Sequence, residues 1–182
     1  MHRRSISAAV ALAAVALAAL CVRPGALFAQ EKPHVVAASP EAAGEYLAIV
    51  AGCHDCHTKG WTESKGKIPR EDQFAGIGSY GFRGDWGTNY GKNLRAQFQH
   101  DSVDKYIHVI TTADDGEGKL PMPWHNTAAM SDEDLRAIYR YIKSLGPKAN
   151  AERIPRSVKP GVEPTTPFVW LTQQQPQPPK AP

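Results

Sequence analysis

Cys53-His54-Asp55-Cys56-His57 places two thiols three residues apart and an imidazole directly after the second. On a turn of helix, residues at that spacing face the same way, with their Cβ atoms about 5–6 Å apart. Two thiols so placed can each bond one vinyl group along a porphyrin edge. The next side chain, His57, then lies against the ring and can offer a nitrogen to iron. The pattern C-x-x-C-H is the attachment signal of a c-type haem. His54 lies between the two thioether positions and is expected to point away from the metal.

Two cysteines at this spacing have three other possible uses. A redox dithiol expects a βαβ context, which is not legible around residue 53. A zinc site wants four ligands, and neither a second C-x-x-C nor an H-x-x-x-H follows. A disulfide between such close neighbours would tie down almost nothing. The third cysteine, Cys21, falls in the leader discussed below.

A sixth iron ligand is sought among the methionines and histidines. Met122 stands in Leu120-Pro121-Met122-Pro123-Trp124. Each proline fixes its own φ and disfavours helix in the residue before it, so the loop is stiff and presents one thioether. A soft thioether suits haem iron and raises its potential relative to a second imidazole. Met122 is therefore the expected ligand, with His108 or another histidine, or no sixth ligand at all, as alternatives. Met130 reads as a staple onto Leu135. His34, His100 and His125 read as surface or capping residues, and His108 falls off the apolar face of its helix.

These groups need elements to position them. Ser39-Pro40-Glu41 opens a helix over about 40–52 that runs into the cysteines, with Ala43, Tyr46, Leu47 and Val50 at helical spacing. Asp101 or Ser102 caps a second over about 102–112, whose apolar face is Val103, Tyr106, Ile107 and Ile110. Ser131 caps a third, with Asp134 as a capping-box acid, the stripe Leu135, Ile138, Tyr139, Ile142 and Leu145, and a stop at Gly146-Pro147. Residues 58–99 hold eight glycines and little periodicity. They are expected to form long loops with at most a turn of helix, wrapped around a cofactor that supplies the missing core.

The ends read differently. His2, Arg3 and Arg4 precede the apolar run Ile6 to Val22, and Ala26-Leu27-Phe28-Ala29 follows. That is the layout of a signal peptide over 1–29, cut near Ala29-Gln30, in a protein bound for the periplasm. The apolar run is shorter than the ~20 residues a membrane span needs, so no span is expected after cleavage. An uncleaved anchor and a lipoprotein at Cys21 are lesser readings. The formal charge of +3 resides in Arg3, Arg4 and Arg23, and the remaining basic residues balance the 18 acidic ones. No dense basic run with interleaved aromatics exists, which argues against nucleic acid. Residues 30–38 form a lead-in. Residues 148–182 read as a Pro-rich extended tail, within which Pro167-Phe168-Val169-Trp170-Leu171 is apolar enough to dock.

With these parts in order, the chain over about 39–147 resembles class I c-type cytochromes. The residues that carry the resemblance are Gly44-Glu45-Tyr46, Gly52 through His57, Met122-Pro123, Met130 through Leu135, and Ile138 through Ile142. The resemblance implies an all-α cytochrome c fold around one covalent haem, with Gly44 and Tyr141 near the crossing of the first and last helices. It also implies His57/Met122 axial ligation and a partly exposed haem edge. The segments Phe74-Ala75-Gly76 and Tyr90-Gly91-Lys92-Asn93-Leu94 are similar to the loop after the attachment motif in cytochrome subunits of periplasmic alcohol and sugar-acid dehydrogenases. Asn93, Tyr90, Trp86 and Trp124 are then expected near the propionates or the haem rim, or in ordinary packing. The implied role is a one-electron carrier without catalysis of its own. It would take electrons from a dehydrogenase and pass them to an oxidase or another cytochrome. The alternatives are a relay subunit within a dehydrogenase complex and a five-coordinate haem enzyme or gas sensor.

Overall fold

The computed structural model describes residues 32–114 and 121–171. The described residues from Pro33 onward belong to one compact unit. The expected leader over 1–29 and the last part of the tail, 172–182, lie outside the described residues.

Six α-helices stand in chain order among the described residues: α1 (Pro40–Val50), α2 (Cys53–His57), α3 (Leu94–His100), α4 (Val103–Thr112), α5 (Trp124–Ala129) and α6 (Asp132–Ser144). A 3₁₀ turn at Arg70–Asp72 and three strands, β1 (Ile77–Gly84), β2 (Gly87–Gly91) and β3 (Phe168–Trp170), complete them. No helix among the described residues is long and apolar enough to cross a membrane.

The helix starts follow their caps. Ser39 Oγ accepts from the Ala42 N–H at 3.1 Å, with Pro40 at the first position. Ser102 and Ser131 do the same for α4 and α6. One half of the expected capping box is used differently. Asp134 Oδ1 accepts from the backbone N–H of Val35 at 2.8 Å, so this acid pins the lead-in onto α6.

The core forms where α1 crosses α6. Leu47 and Ala48 of α1 pack with Ile138, Tyr141 and Ile142 of α6 and with Phe74 and Phe98. At the crossing the backbones touch: a Cβ on Gly44 would lie 2.0 Å from the Ala137 carbonyl oxygen and 2.8 Å from Tyr141 Cβ. Only glycine allows that approach. The end of α6 is closed from outside the helix. The buried Arg95 guanidinium donates to the carbonyls of Leu145 and Gly146, the latter at 2.8 Å, and to Glu71 O at 2.8 Å. A cation at a helix C-terminus satisfies orphan carbonyls and complements the dipole.

The expectation of an all-α chain has to be amended, because residues 58–99 are not loops alone. Strands β1 and β2 pair antiparallel through a tight turn at Asp85-Trp86, and α3 follows. Strand β3 lies parallel on the other side of β1, giving the order β2-β1-β3. Glycine-rich strands buried on both faces leave no alternating signature, which is why periodicity did not reveal them.

The third strand belongs to the segment read as a tail. From 148 to 171 the chain is extended, yet it is fastened to the sheet along its length. Ala151 N donates to Ala75 O at 3.0 Å, and Val158 and Thr88 exchange two backbone bonds of 2.8 Å. Tyr90 Oη and Thr166 Oγ1 lie 2.6 Å apart. The buried Arg83 stacks over Phe168 and Trp170 and pairs with Glu163 at 3.0 Å. Glu152 is the strongest clamp: it accepts from the N–H groups of Gly78 and Ser79 and from Lys59 Nζ at 2.6–2.7 Å. Burial alone would push its carboxyl up, but those donors outweigh burial and hold it down at about 2.

Two outcomes follow. Gly44→Ala should destabilise the protein by about 3 kcal/mol in a denaturant titration, because overpacking a close crossing costs roughly 1–3 kcal/mol or more. A stabilisation of about 1 kcal/mol, the usual gain for this change inside a helix, would mean that the helices do not meet there. Glu152 has its folded pKa below the ordinary 4.5, so its contribution is complete above that value and fades as pH falls toward 2. Glu152→Gln should therefore lose about 1–2 kcal/mol at pH 7, discounted for partial exposure, and the difference from wild type should shrink between pH 4.5 and 2. A gap that is constant across that range would show that the carboxylate charge is not what clamps the segment.

Candidate functional site

The cysteine motif folds as its own helical turn. Gly52 takes φ 71°, ends the run of α1 and restarts the chain as α2. Cys53 and Cys56 thus stand one turn apart, and the Thr58 N–H closes the turn on the His54 carbonyl at 2.9 Å. The end of β2 holds this turn from below: a Cβ on Gly91 would sit 1.6 Å from the Cys56 carbonyl oxygen. No residue with a side chain fits between strand and turn.

The residue just after β2 fixes the imidazole. His57 Nδ1 is 2.8 Å from the Lys92 carbonyl oxygen. A carbonyl can only accept, so Nδ1 carries the proton and Nε2 keeps its lone pair. Burial drives the pKa of His57 down, which keeps the ring neutral. A neutral imidazole with its second nitrogen anchored is the usual form of a metal ligand.

His54 is occupied elsewhere. Its ring is 1 % exposed and stacks on Trp61 with centroids 3.7 Å apart and planes 11° apart, with Phe74 on a further side. Its Nδ1 lies 3.0 Å from Thr58 Oγ1, which in turn accepts from the Phe74 N–H. Burial holds its pKa down at about 4.

Three cavities adjoin the motif. One of ≈ 190 Å³ is walled by Cys53, His57, Phe98, Tyr106, Ile110, Ile138 and Ile142 among others. A small one of ≈ 50 Å³ touches Cys56, His57, Phe82 and Tyr90. The third, an open cleft of ≈ 830 Å³, is bordered by Gly52, Cys56, Trp86, Trp124 and Leu171. Met122 lines all three. The stiff Pro121-Met122-Pro123 loop therefore reaches the space that His57 borders, from an element 65 residues further along the chain.

Cys53 and Cys56 are not joined to each other in a disulfide. Burial pushes Cys53 up to about 12 and Cys56 up to about 11. A catalytic dithiol needs the opposite shift, so their surroundings do not suit thiol exchange. Among the described residues no group of three or more His, Cys, Asp or Glu side chains is arranged to hold a metal ion, which leaves the zinc reading without a donor set. The donor set does fit a haem: two thiols on one turn, an imidazole with Nε2 available, a thioether at the same cavities, and apolar walls between them.

Of the residues named from sequence, Cys53, Cys56, His57, Met122, Tyr90, Trp86 and Trp124 border these cavities. Asn93 does not. Its carboxamide caps α3, accepting from Ala96 N at 2.9 Å, and donates to Lys148 O and Asn150 Oδ1 at 3.0 Å. It braces the start of the C-terminal segment instead of a cofactor rim. His34, His100, His108 and His125 are exposed. Sequence reasoning missed the Lys92 carbonyl, Phe82 and Leu171. A backbone acceptor leaves no trace in residue type, and the other two depend on strand pairings that were not foreseen.

The chain is similar to cytochrome subunits of dehydrogenases. It is 29% identical over 106 residues to the fructose dehydrogenase cytochrome subunit of Gluconobacter japonicus, a match covering 54% of this chain and 20% of that protein. It is 32% identical over 114 residues to the gluconate 2-dehydrogenase cytochrome c subunit of Pantoea cypripedii, covering 60% of this chain and 24% of that one. The chain thus spans no more than about a quarter of the length of the curated relatives it matches. No family model and no solved structure matches it.

Proposed function

We propose that this chain carries one c-type haem, bound through thioethers at Cys53 and Cys56, and works as an exported one-electron carrier. The observation that carries the reading is the fixed tautomer of His57: Nδ1 is committed to the Lys92 carbonyl, and Nε2 is available at cavities that Met122 also borders. The similarity to cytochrome subunits supports the same role.

When bound, the haem supplies an iron that gains and loses a single electron. The chain's residues hold it and set its surroundings. His57 would offer it a nitrogen and Met122 a thioether sulfur. The β2 contact at Gly91 and the Lys92 carbonyl hold the imidazole ring at a fixed orientation, which limits rearrangement between oxidation states. Phe98, Ile110, Ile138 and Ile142 keep water away, and a low-dielectric surrounding with a thioether ligand favours the reduced form. The helices crossing at Gly44 support a cytochrome c fold, to which the sheet and the fastened segment 148–171 are additions.

The donor in this reading is a dehydrogenase of small polyols, sugars or sugar acids, and the acceptor an oxidase or a second cytochrome. Export to the periplasm is supported by the leader layout over 1–29 and by the haem chemistry that the C-x-x-C-H motif calls for.

Met122→Ala should leave the haem attached, lower the reduction potential and open the iron to carbon monoxide, which the wild type should bind slowly or not at all. Spectroscopic titration of both proteins checks this. An unchanged potential and spectrum in the variant would transfer the sixth position to a histidine. Rapid carbon monoxide binding by the wild type would favour a five-coordinate enzyme or sensor.

A further inference from the structure

The carbonyl that accepts from His57 belongs to a peptide whose far side is anchored by the C-terminal segment. Lys92 lies just after β2, and Asn93 follows it as the N-cap of α3. Behind this peptide Gly76 comes so close that a Cβ there would sit 2.9 Å from the Gly91 carbonyl oxygen and 3.0 Å from the Asn93 nitrogen. Gly76 is itself tied to the cysteine motif, its N–H donating to the His57 carbonyl at 3.0 Å. Those contacts fix where the backbone lies. They do not fix where the Lys92 carbonyl points, because the extended region of backbone space is broad.

Asn93 removes that freedom. Its buried carboxamide accepts through Oδ1 from the Ala96 N–H at 2.9 Å, and Nδ2 donates to the Lys148 carbonyl and to Asn150 Oδ1, both at 3.0 Å. An amide nitrogen has two hydrogens, so both are committed. The segment that accepts them is held in turn. Lys148 Nζ pairs with Asp72 at 2.7 Å, and the Ala151 N–H donates to the Ala75 carbonyl at 3.0 Å. A helix start needs only the accepting oxygen, and serine supplies it for α1, α4 and α6. The two donated bonds are therefore surplus to capping, and they run to residues 55 and 57 positions further along the chain.

We propose that Asn93 is a positioning residue for His57: it ties the Lys92–Asn93 peptide to Lys148 and Asn150, so that the Lys92 carbonyl stays aimed at Nδ1. The C-terminal segment then sets the strength of that hydrogen bond, and with it the basicity of Nε2. A stronger acceptor at Nδ1 makes the imidazole a better donor through its other nitrogen and favours ferric iron. The inference rests on the haem reading above and adds the residue that regulates the ligand.

The test compares the haem-loaded wild type with Asn93→Ser, Asn150→Ala and Ser131→Ala by two readouts. One is hydrogen exchange of the His57 Nδ1–H, followed by NMR in the reduced protein, and the other is the ferric/ferrous ratio in a redox titration. Asn93→Ser keeps a neutral helix cap and drops both bridging bonds. Its Nδ1–H should exchange about 5-fold faster, the scale of one hydrogen bond's net stabilisation. Its ferric/ferrous equilibrium should shift about threefold toward ferrous, less than the 10–100-fold typical when such a partner is lost outright, because the carbonyl itself remains. Asn150 is exposed, and Asn150→Ala should move both readouts the same way by a smaller amount. Ser131→Ala loses the cap of α6 and should lower the melting temperature with both readouts unchanged. Wild-type exchange and equilibrium in Asn93→Ser, or equal changes in Ser131→Ala, would overturn the inference and leave the haem reading intact. A mature protein without attached haem would overturn both.

Discussion

The contact on which the site depends is the one between the end of β2 and the cysteine turn. Gly91 lets the strand backbone approach the Cys56 carbonyl, and the Lys92 carbonyl then reaches Nδ1 of His57. One hydrogen bond decides the tautomer, the ring orientation and the availability of Nε2. Its net contribution to stability is about 1 kcal/mol. Its importance lies in geometry, because a freely turning imidazole would not present one nitrogen to one place.

The rest of the fold keeps that strand where it is. β2 pairs with β1, β1 is flanked by β3, and β3 is held by the segment that Glu152, Asn93 and Arg83 fasten. The helical side works from the opposite direction. The α1–α6 crossing at Gly44 sets where α1 ends, and the turn at Gly52 sets how the cysteines leave it. Sheet and helix pair meet at the motif, so the chemistry sits at the junction of two supports that are far apart in sequence. A covalent bond to each thiol would lock this junction further, since the two sulfurs cannot then separate.

Much of this was legible in the residues because the signals are local. Ser39, Ser102 and Ser131 announced three helices whose starts match, and the stripe of α6 named its core face, whereas on α1 only Ala43 and Leu47 of the expected stripe are buried and Tyr46 and Val50 face solvent. The spacing of C-x-x-C-H set two thiols one turn apart with an imidazole next to them, and the structure has that turn. Gly44 was legible through resemblance, and the crossing gives its physical cause.

What stayed hidden is non-local. Strands β1 and β2 carry glycines where other strands carry alternating side chains, since neighbouring backbones and rings fill those places. Asp134 has the right position for a capping box, but the Val35 N–H competes for it from 99 residues away. Asn93 read equally as a propionate partner or as ordinary packing, and it bonds to a helix start and to Lys148 and Asn150. Each case has one form: a residue type states what bonds it can make, and the fold chooses the partner. The central claim remains that Cys53 and Cys56 bind one porphyrin whose iron His57 holds. Intact-mass measurement of the mature protein, produced alongside haem-attachment machinery and then denatured, addresses it most directly. The account predicts polypeptide plus one haem with no titratable thiol, and bare polypeptide mass with both thiols free or bonded to each other would contradict it.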